Sequence, residues 1–324
     1  MSQLPDGIQA FLENAGWHDA RIDPIPGDAS FRRYFRLHRE GETAMLMYAP
    51  PPEEDPRPFL KIATWLSDNG LRAPAILAED APQGWVLTED FGDARMREWL
   101  DEHPGDEEAT YAAAVDALVE LHRLPPGPFE PYDMGTYQRE AGLLTEWYCP
   151  YMGLDVDTSG YRKAWDEALG DMLGRQDPGV TVLRDYHAEN IMLPRDGSQG
   201  LIDFQDALVG HPTYDLVSLL QDARRDVSIE LERKMLDRYV AATSPSEEFL
   251  ADYARLGAQR NAKIVGIFTR LAKRDGKPRY LAMIPRVWEA MERDLQHPAL
   301  APVEAWFGAN IPQNIRDTSG GELR

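Results

Sequence analysis

Two periodicities divide this chain. Residues 4–15 place Ile8, Phe11 and Leu12 at helical spacing before a stop at Gly16. Alternation then takes over. Residues 22–26 begin a strand-rich section, the turn Gly27-Asp-Ala-Ser30 leads into residues 31–37, and Gly41-Glu42 separates these from residues 43–48. Residues 49–58 hold five prolines and three acidic side chains, which predicts a stiff, exposed connector. Phe59, Ile62, Ala63 and Leu66 mark one face of a helix ending near Asn69-Gly70, and residues 75–79 and 85–88 complete a five-stranded reading. From Arg95 onward the pattern turns helical, with helices predicted over 106–122, 137–148, 161–174, 213–240 and 246–273. Three short apolar runs, at 180–183, 191–193 and 201–202, interrupt that half as strands. The implied fold is α+β with a boundary near residues 89–93, and a β-rich part joined to a helical part suits a ligand bound at the junction.

Composition narrows the classes. A hydrophobic fraction of 43% with eight Trp and thirteen Tyr supplies packed cores in a chain of 324 residues. The formal net charge of -21 argues against nucleic acid as a partner. The single cysteine, Cys149, excludes an internal disulfide and a cysteine-rich metal centre, as expected in a reducing cytoplasm. The N-terminus lacks a basic and apolar leader, and no run approaches the roughly 18 apolar residues of a membrane span. A cytoplasmic protein with no membrane partner is expected.

The chemistry concentrates in Val182-Leu-Arg-Asp-Tyr-His-Ala-Glu-Asn-Ile-Met-Leu193 and Gly200-Leu-Ile-Asp-Phe-Gln-Asp206. Each half runs from an apolar strand into polar groups. Asp185, Asn190 and Asp203 fall at strand ends, and a carboxylate, an amide five residues on and a second carboxylate match the needs of phosphoryl transfer. In that reading Asp185 is the base for the accepting hydroxyl, and Asn190 and Asp203 hold magnesium. Arg184, His187, Asp206 and Asp215 read as loop supports. An Asp90-Phe-Gly92 tripeptide precedes Asp185 by nearly a hundred residues, too early for a metal ligand; its place after a strand predicts a hinge where the backbone of Thr88, Glu89 and Asp90 meets an adenine edge.

With these residues in view, the chain resembles the aminoglycoside phosphotransferase and choline kinase superfamily, relatives of the protein kinases. The marks are Leu183-Arg-Asp-Tyr-His-Ala-Glu-Asn190, Ile202-Asp-Phe204 and His211-Pro-Thr-Tyr-Asp-Leu216. Within it the chain looks like the cytoplasmic sugar kinases that phosphorylate the anomeric hydroxyl of N-acetylmuramate and N-acetylglucosamine. Here the carriers are Gly27-Asp-Ala-Ser-Phe-Arg-Arg-Tyr-Phe-Arg36, Ala49-Pro-Pro51, Glu146-Trp-Tyr148, residues 259–271 and Arg274-Asp-Gly-Lys277.

The resemblance implies a protein-kinase-like two-lobed fold: an N-lobe over 1–90, a mainly helical C-lobe over 91–310 and a tail over 311–324. It also implies ATP and Mg2+ as cofactors, a monomer, an amino-sugar substrate and a place in peptidoglycan recycling. Ser30, Phe31, Arg32 and Arg33 would cover the nucleotide phosphates. Glu146, Tyr148, Tyr151, Gln205, Asn261 and Arg270 would select the sugar, because aromatic faces and fixed polar groups suit one and an arginine suits a lactyl carboxylate. One departure stands out. Such relatives usually place a phosphate-gripping lysine on the strand occupied here by Met45 and Met47, and a glutamate on the following helix; both are missing. Arg32, Arg33 and Lys61 are the candidates to compensate. Alternatives are a kinase for an aminoglycoside or amino alcohol, a nucleotide-binding scaffold without catalysis, and a metal-dependent hydrolase, the last disfavoured by the lack of histidine ligands.

Overall fold

The alternation in residues 33–48 becomes a hairpin whose two faces do different work. In the computed structural model, which describes residues 4–26, 31–194 and 196–322, helix α1 (Ile8–Asn14) precedes β1 (Arg21–Ile25), β2 (Arg33–Arg39) and β3 (Glu42–Tyr48). Helix α2 (Arg57–Asp68), β4 (Ile76–Asp80), β5 (Trp85–Glu89) and α3 (Met96–Glu102) follow. The strands form one antiparallel sheet in the order β1-β2-β3-β5-β4. Phe35, Leu37, Ala44, Leu46, Trp85 and Leu87 project from one face and close a core with Ile8, Phe11, Leu12 and Trp17. Register puts Tyr34 beside Met47 and Val86, and Arg36 beside Met45 and Thr88, on the opposite face.

This first unit comprises the chain through Glu102 together with Glu189–Asp206. In the returning segment Ile191–Met192 pairs with Gly200–Leu201. It is tied in by Leu193 N–H to the Ala94 carbonyl (2.7 Å) and Leu201 N–H to the Arg72 carbonyl (2.8 Å). Phe204, buried, stacks on Phe59 of α2 with ring centroids 5.2 Å apart. The apolar face read for α2 therefore clamps the residue that follows Asp203.

The second unit, His103–Ala188 with the chain from Ala207 onward, is helical. It contains α4 (Glu107–Arg123), α5 (Met134–Ala141), a π-turn at Leu144–Tyr148 leading into α6 (Cys149–Tyr151), and α7 (Thr158–Gln176). Then come α8 (Thr213–Leu220), α9 (Ile229–Thr243), α10 (Phe249–Lys273), α11 (Ile284–Leu295), α12 (Ala301–Asn310) and α13 (Gln313–Asp317). Strand Val180–Val182 pairs antiparallel with Leu208–Gly210, a strand the sequence reading lacks. The helix expected over 213–240 is two: residues 221–228 leave the helix so that Asp222 can accept the Ala188 and Arg224 amides, and Ser228 then caps α9 through its bond from Leu231 N–H. The helix expected over 137–148 ends as α5 and continues as the π-turn. Gly266 of α10 packs so closely there that a Cβ would collide with the Leu143 carbonyl.

The expected α+β class and two-part organisation are what the chain adopts. No helix among the described residues is long and apolar enough to cross a membrane.

Candidate functional site

Asp185 lies in a loop that the second unit braces from several sides. Asp215 opens α8, where its buried carboxylate accepts the Leu183 N–H at 2.6 Å and the Arg184 N–H at 2.8 Å. The loop support expected of Asp215 is thus realised through backbone amides. Burial pushes its carboxyl up to about 7, outweighing those two donors. Arg184 has φ 71, a left-handed conformation that costs a non-glycine residue about 1–2 kcal/mol. Its guanidinium pairs with Glu140 and lies 5.6 Å over the Tyr132 ring. Tyr186 donates to the Ala114 carbonyl at 2.9 Å, and Asp222 takes the Ala188 amide at 3.2 Å. His187 is buried, with Nε2 3.3 Å from Arg224, and burial lowers its pKa, so it is a neutral scaffold group.

Behind this loop is a buried ionic cluster that sequence reasoning missed. Lys263 of α10 lies 3.1 Å from Glu140 Oε1 and donates to the Tyr214 hydroxyl at 3.1 Å. Glu140 also takes the Tyr132 hydroxyl and Arg184, and despite burial these cations hold its carboxyl below the usual range. Arg260 donates to Ser218 Oγ at 2.7 Å. Burial opposes ionisation of Asp185, but the cations Lys263, Arg260 and Arg184 hold its carboxyl below the ordinary value. Asp185 is therefore a carboxylate at neutral pH, able to accept a hydrogen bond from a hydroxyl. A signal existed: Lys263 and Arg260 recur at helical spacing among apolar residues that all need burial.

The other two residues of the triplet belong to the first unit. Asp203 is exposed, with φ 60, and accepts from the Gln205 amide at 2.9 Å and from the Asn190 amide at 3.4 Å. The 3.4 Å contact is long, and turning the Asn190 amide over would present its oxygen beside the carboxylate. A carboxylate and an amide oxygen suit a hard divalent cation that completes its shell with water and phosphate. Among the described residues no group of three or more His, Cys, Asp or Glu side chains forms a metal cage, which such a cation does not need.

The predicted hinge is built differently from a row of offered side chains. The Thr88 hydroxyl donates to the Met45 carbonyl (3.3 Å) and the Glu89 carbonyl (3.1 Å). Glu89 makes a two-pronged pair with Arg72 at 2.6 and 2.5 Å and its N–H donates to Ala75, so neither side chain nor amide is presented to a ligand. Asp90 is held by Arg36 at 2.8 and 3.1 Å. Ser30 and the turn 27–30 lie outside the described residues. Phe31 is 69% exposed, and the Arg33 guanidinium stands 5.3 Å over the Phe35 ring, on the face that packs against α1. Arg32 pairs with Glu54 at 3.2 Å. A cavity of about 300 Å3 lies there, lined by residues 24–26 and 32–35.

The proposed sugar contacts separate. Tyr148 is a correction: it is fully buried, donates to the Gly320 carbonyl at 2.7 Å and packs 5.0 Å from Trp288, which makes it a core residue. Asn261 is also fully buried and donates to Gln221 at 2.7 Å. Glu146 is exposed in the π-turn, and Tyr151 and Arg270 are half-buried, with Lys273 5.9 Å over the Tyr151 ring. Gln205 is spent in part on Asp203.

Comparison with known proteins fits this architecture. The model of the phosphotransferase enzyme family matches residues 21–258. The chain is 36% identical to an N-acetylmuramate/N-acetylglucosamine kinase of Caulobacter vibrioides over 95% of this chain and 96% of that protein. Among solved structures, a choline kinase from Streptococcus pneumoniae superposes with a TM-score of 0.63 at 14% identity, covering 91% of this chain and 97% of that one. An ADP-bound aminoglycoside phosphotransferase gives 0.61 at 15% identity, covering 89% and 97%. With a family model spanning most of its length and a relative matched nearly end to end, the chain belongs to the phosphotransferase enzyme family.

Proposed function

We propose that this protein is an ATP-dependent sugar kinase that phosphorylates the anomeric hydroxyl of N-acetylmuramate and N-acetylglucosamine. The observation that carries the reading is Asp185, an ionised carboxylate fixed by Asp215 in a loop followed by Asn190 and Asp203. The acceptor is taken from the Caulobacter vibrioides relative, whose name states both sugars. Nucleotide use is supported by the ADP-bound structural neighbour.

In this reading Asp185 accepts the hydrogen bond of the sugar hydroxyl and then its proton, while orienting the oxygen toward the transferred phosphoryl group. A hemiacetal hydroxyl is more acidic than an ordinary alcohol, so a carboxylate of low basicity is sufficient. Asn190 and Asp203 hold magnesium, which when bound neutralises charge on the nucleotide phosphates. With the Glu89 amide spent on Ala75, the part of the expected hinge left to meet the adenine is the backbone from the Glu89 carbonyl to Asp90. Glu146, Tyr151 and Arg270 remain the candidates for sugar contacts. The protein acts as a cytoplasmic monomer.

The test is ADP release, coupled to a spectroscopic readout, across amino sugars, choline and an aminoglycoside with magnesium present. Release is expected with the two N-acetylated sugars and not with their methyl glycosides, whose anomeric oxygen is blocked. Asp185→Asn should lower turnover about 10²–10⁴-fold and leave nucleotide binding in place. Turnover of a methyl glycoside would overturn the anomeric assignment, and release with choline or the aminoglycoside alone would overturn the sugar.

A further inference from the structure

We propose that Arg32, braced by Glu54, is the cation that grips the nucleotide phosphates in this chain, in place of an ion pair that its β3 strand and α2 helix do not carry. The inference rests on the kinase reading above and adds the residue that reading leaves open.

Strand β3 is Glu-Thr-Ala-Met-Leu-Met-Tyr, and α2 has no glutamate and no acidic residue in its first turn. The face of the sheet bearing Met45 and Met47 thus lacks a cation of its own on β3. Four nearby cations can be sorted by geometry. Arg33 points to the other face, over Phe35. Arg36 is on the right face, beside Met45, but is committed to Asp90 and Asp93 at 2.8 and 2.6 Å. Lys61 lies on the exposed side of α2, away from Phe59, Ile62 and Leu66. Arg32 lies immediately before β2 and hydrogen-bonds Tyr34, whose position in register is on the face of Met45 and Met47.

Tyr34 places Arg32 relative to the chemistry. Its phenol is next to Met47 in register, and it feels the charges of Arg32, Asp203 and Glu54. The guanidinium therefore shares a neighbour with Asp203, the carboxylate assigned to the metal. Glu54 supplies what α2 lacks. It comes from the proline-rich connector just before that helix and meets Arg32 Nε at 3.2 Å, with side-chain exposures of only 13% and 19%. A half-buried ion pair of this kind restrains where the guanidinium can go. Five N–H donors let an arginine keep a carboxylate on one edge while binding phosphate with another. The stiff connector would then have a function: its prolines hold Glu54 where a helix would otherwise present a glutamate.

The experiment uses the full chain. Calorimetry measures binding of a non-hydrolysable ATP analogue with magnesium, and steady-state kinetics separate the KM values for ATP and sugar. Arg32→Gln, which keeps a hydrogen bond for Tyr34, should weaken nucleotide binding and raise the ATP KM about tenfold to a hundredfold, with the sugar KM unchanged. Arg32→Lys should recover part of the loss. Glu54→Gln should have a smaller effect, and the double variant should match Arg32→Gln alone, since Glu54 acts through Arg32. Unchanged nucleotide binding by Arg32→Gln overturns the proposal, as does a loss that appears in Arg33→Ala instead. Additive effects in the double variant overturn the part assigned to Glu54. A wild-type chain that binds no nucleotide sinks the kinase reading itself, whereas one that binds nucleotide but phosphorylates neither sugar sinks only the acceptor and leaves the Arg32 result standing.

Discussion

Asp215→Asn tests whether the loop carrying Asp185 is positioned from behind. The carboxylate takes two backbone amides, Leu183 at 2.6 Å and Arg184 at 2.8 Å. The amide that replaces it can accept one of them and must turn an N–H toward the other. The loss is one hydrogen bond plus a buried N–H left facing a donor, together about 2–4 kcal/mol. A domain with about 5–15 kcal/mol of stability survives that, with its urea midpoint lowered. The rate should suffer separately. Arg184 is held at φ 71 by these bonds, and once they weaken the strained turn relaxes and Asp185 moves. A misplacement of about 1 Å costs roughly 10²-fold, so kcat should drop by about that factor while the ATP KM stays near wild type. The pH dependence carries a second signature. Burial raises the Asp215 carboxyl from its ordinary 3.8 to about 7. Between those values the unfolded chain has released a proton that the folded one keeps, so wild-type stability falls as pH rises through that window. The variant lacks this titration, and the stability gap between the two should narrow from acid to neutral pH. Destabilisation of the expected size with kcat within about threefold of wild type would refute the claim that Asp215 sets the geometry of the base.

Three further outcomes follow from the second unit. Lys263→Met removes the cation that does most to keep Asp185 ionised, so the acid limb of the kcat/KM profile should move to higher pH; an unmoved limb would separate Lys263 from the base. Tyr148→Phe deletes a buried bond to Gly320, which should cost about 1–3 kcal/mol in a denaturant melt and leave the sugar KM unchanged; a raised KM would return Tyr148 to the sugar site. Cys149 is buried and its thiol is pushed up to about 12, so native protein should be inert to a thiol reagent and should react with one equivalent once unfolded.

The sheet and the loop that carries the proposed base were legible as structure because their signals are local. Alternation at Phe35, Leu37, Ala44 and Leu46 requires one buried face whatever covers it, and Leu183-Arg-Asp185 must leave its strand where the apolar run ends. What escaped depends on distant partners. In α10 the polar side chains of Arg255, Gln259, Arg260, Asn261 and Lys263 interrupt an apolar period, and of these only Asn261 drew an expectation, as a sugar contact. All are buried, because Tyr137, Ser218, Gln221 and Glu140 from elsewhere in the chain pair with four of them and Asp252 of α10 itself pairs with Arg255. Nothing in a 3.6-residue period reports the sign of a neighbour 40 or 120 positions away. The break after α8 failed for a related reason, since Asp222 leaves the helix to serve the Ala188 amide. Only its Ser228 cap was visible in sequence. Helices α11 and α12 drew no expectation, although Val287, Trp288 and Met291 carry the spacing of a buried stripe.

The two carboxylates of the proposed mechanism are held by opposite physical means. Arg184 and Asp203 are both non-glycine residues in the left-handed region, and such conformations persist where surroundings over-determine them. Around Arg184 the constraint is ionic and buried: the Asp215 carboxylate grips the backbone, Glu140 grips the guanidinium, and Lys263 balances Glu140. Removing any member leaves an uncompensated group in a low-dielectric interior, so errors there propagate directly to the base. Around Asp203 the constraint is apolar. Phe204 is locked against Phe59, while the carboxylate itself is exposed and touches two neutral amides. The backbone is fixed there and the side chain can still adjust. A general base must meet one hydroxyl in one geometry, whereas a metal ligand must follow a cation whose other ligands are water and phosphate. The rigid support behind Asp185 and the pliant one behind Asp203 match those two demands. It is this division, more than either residue alone, that makes an inactive scaffold a poor reading, because a protein that only bound nucleotide would have no use for a base held ionised by three surrounding cations.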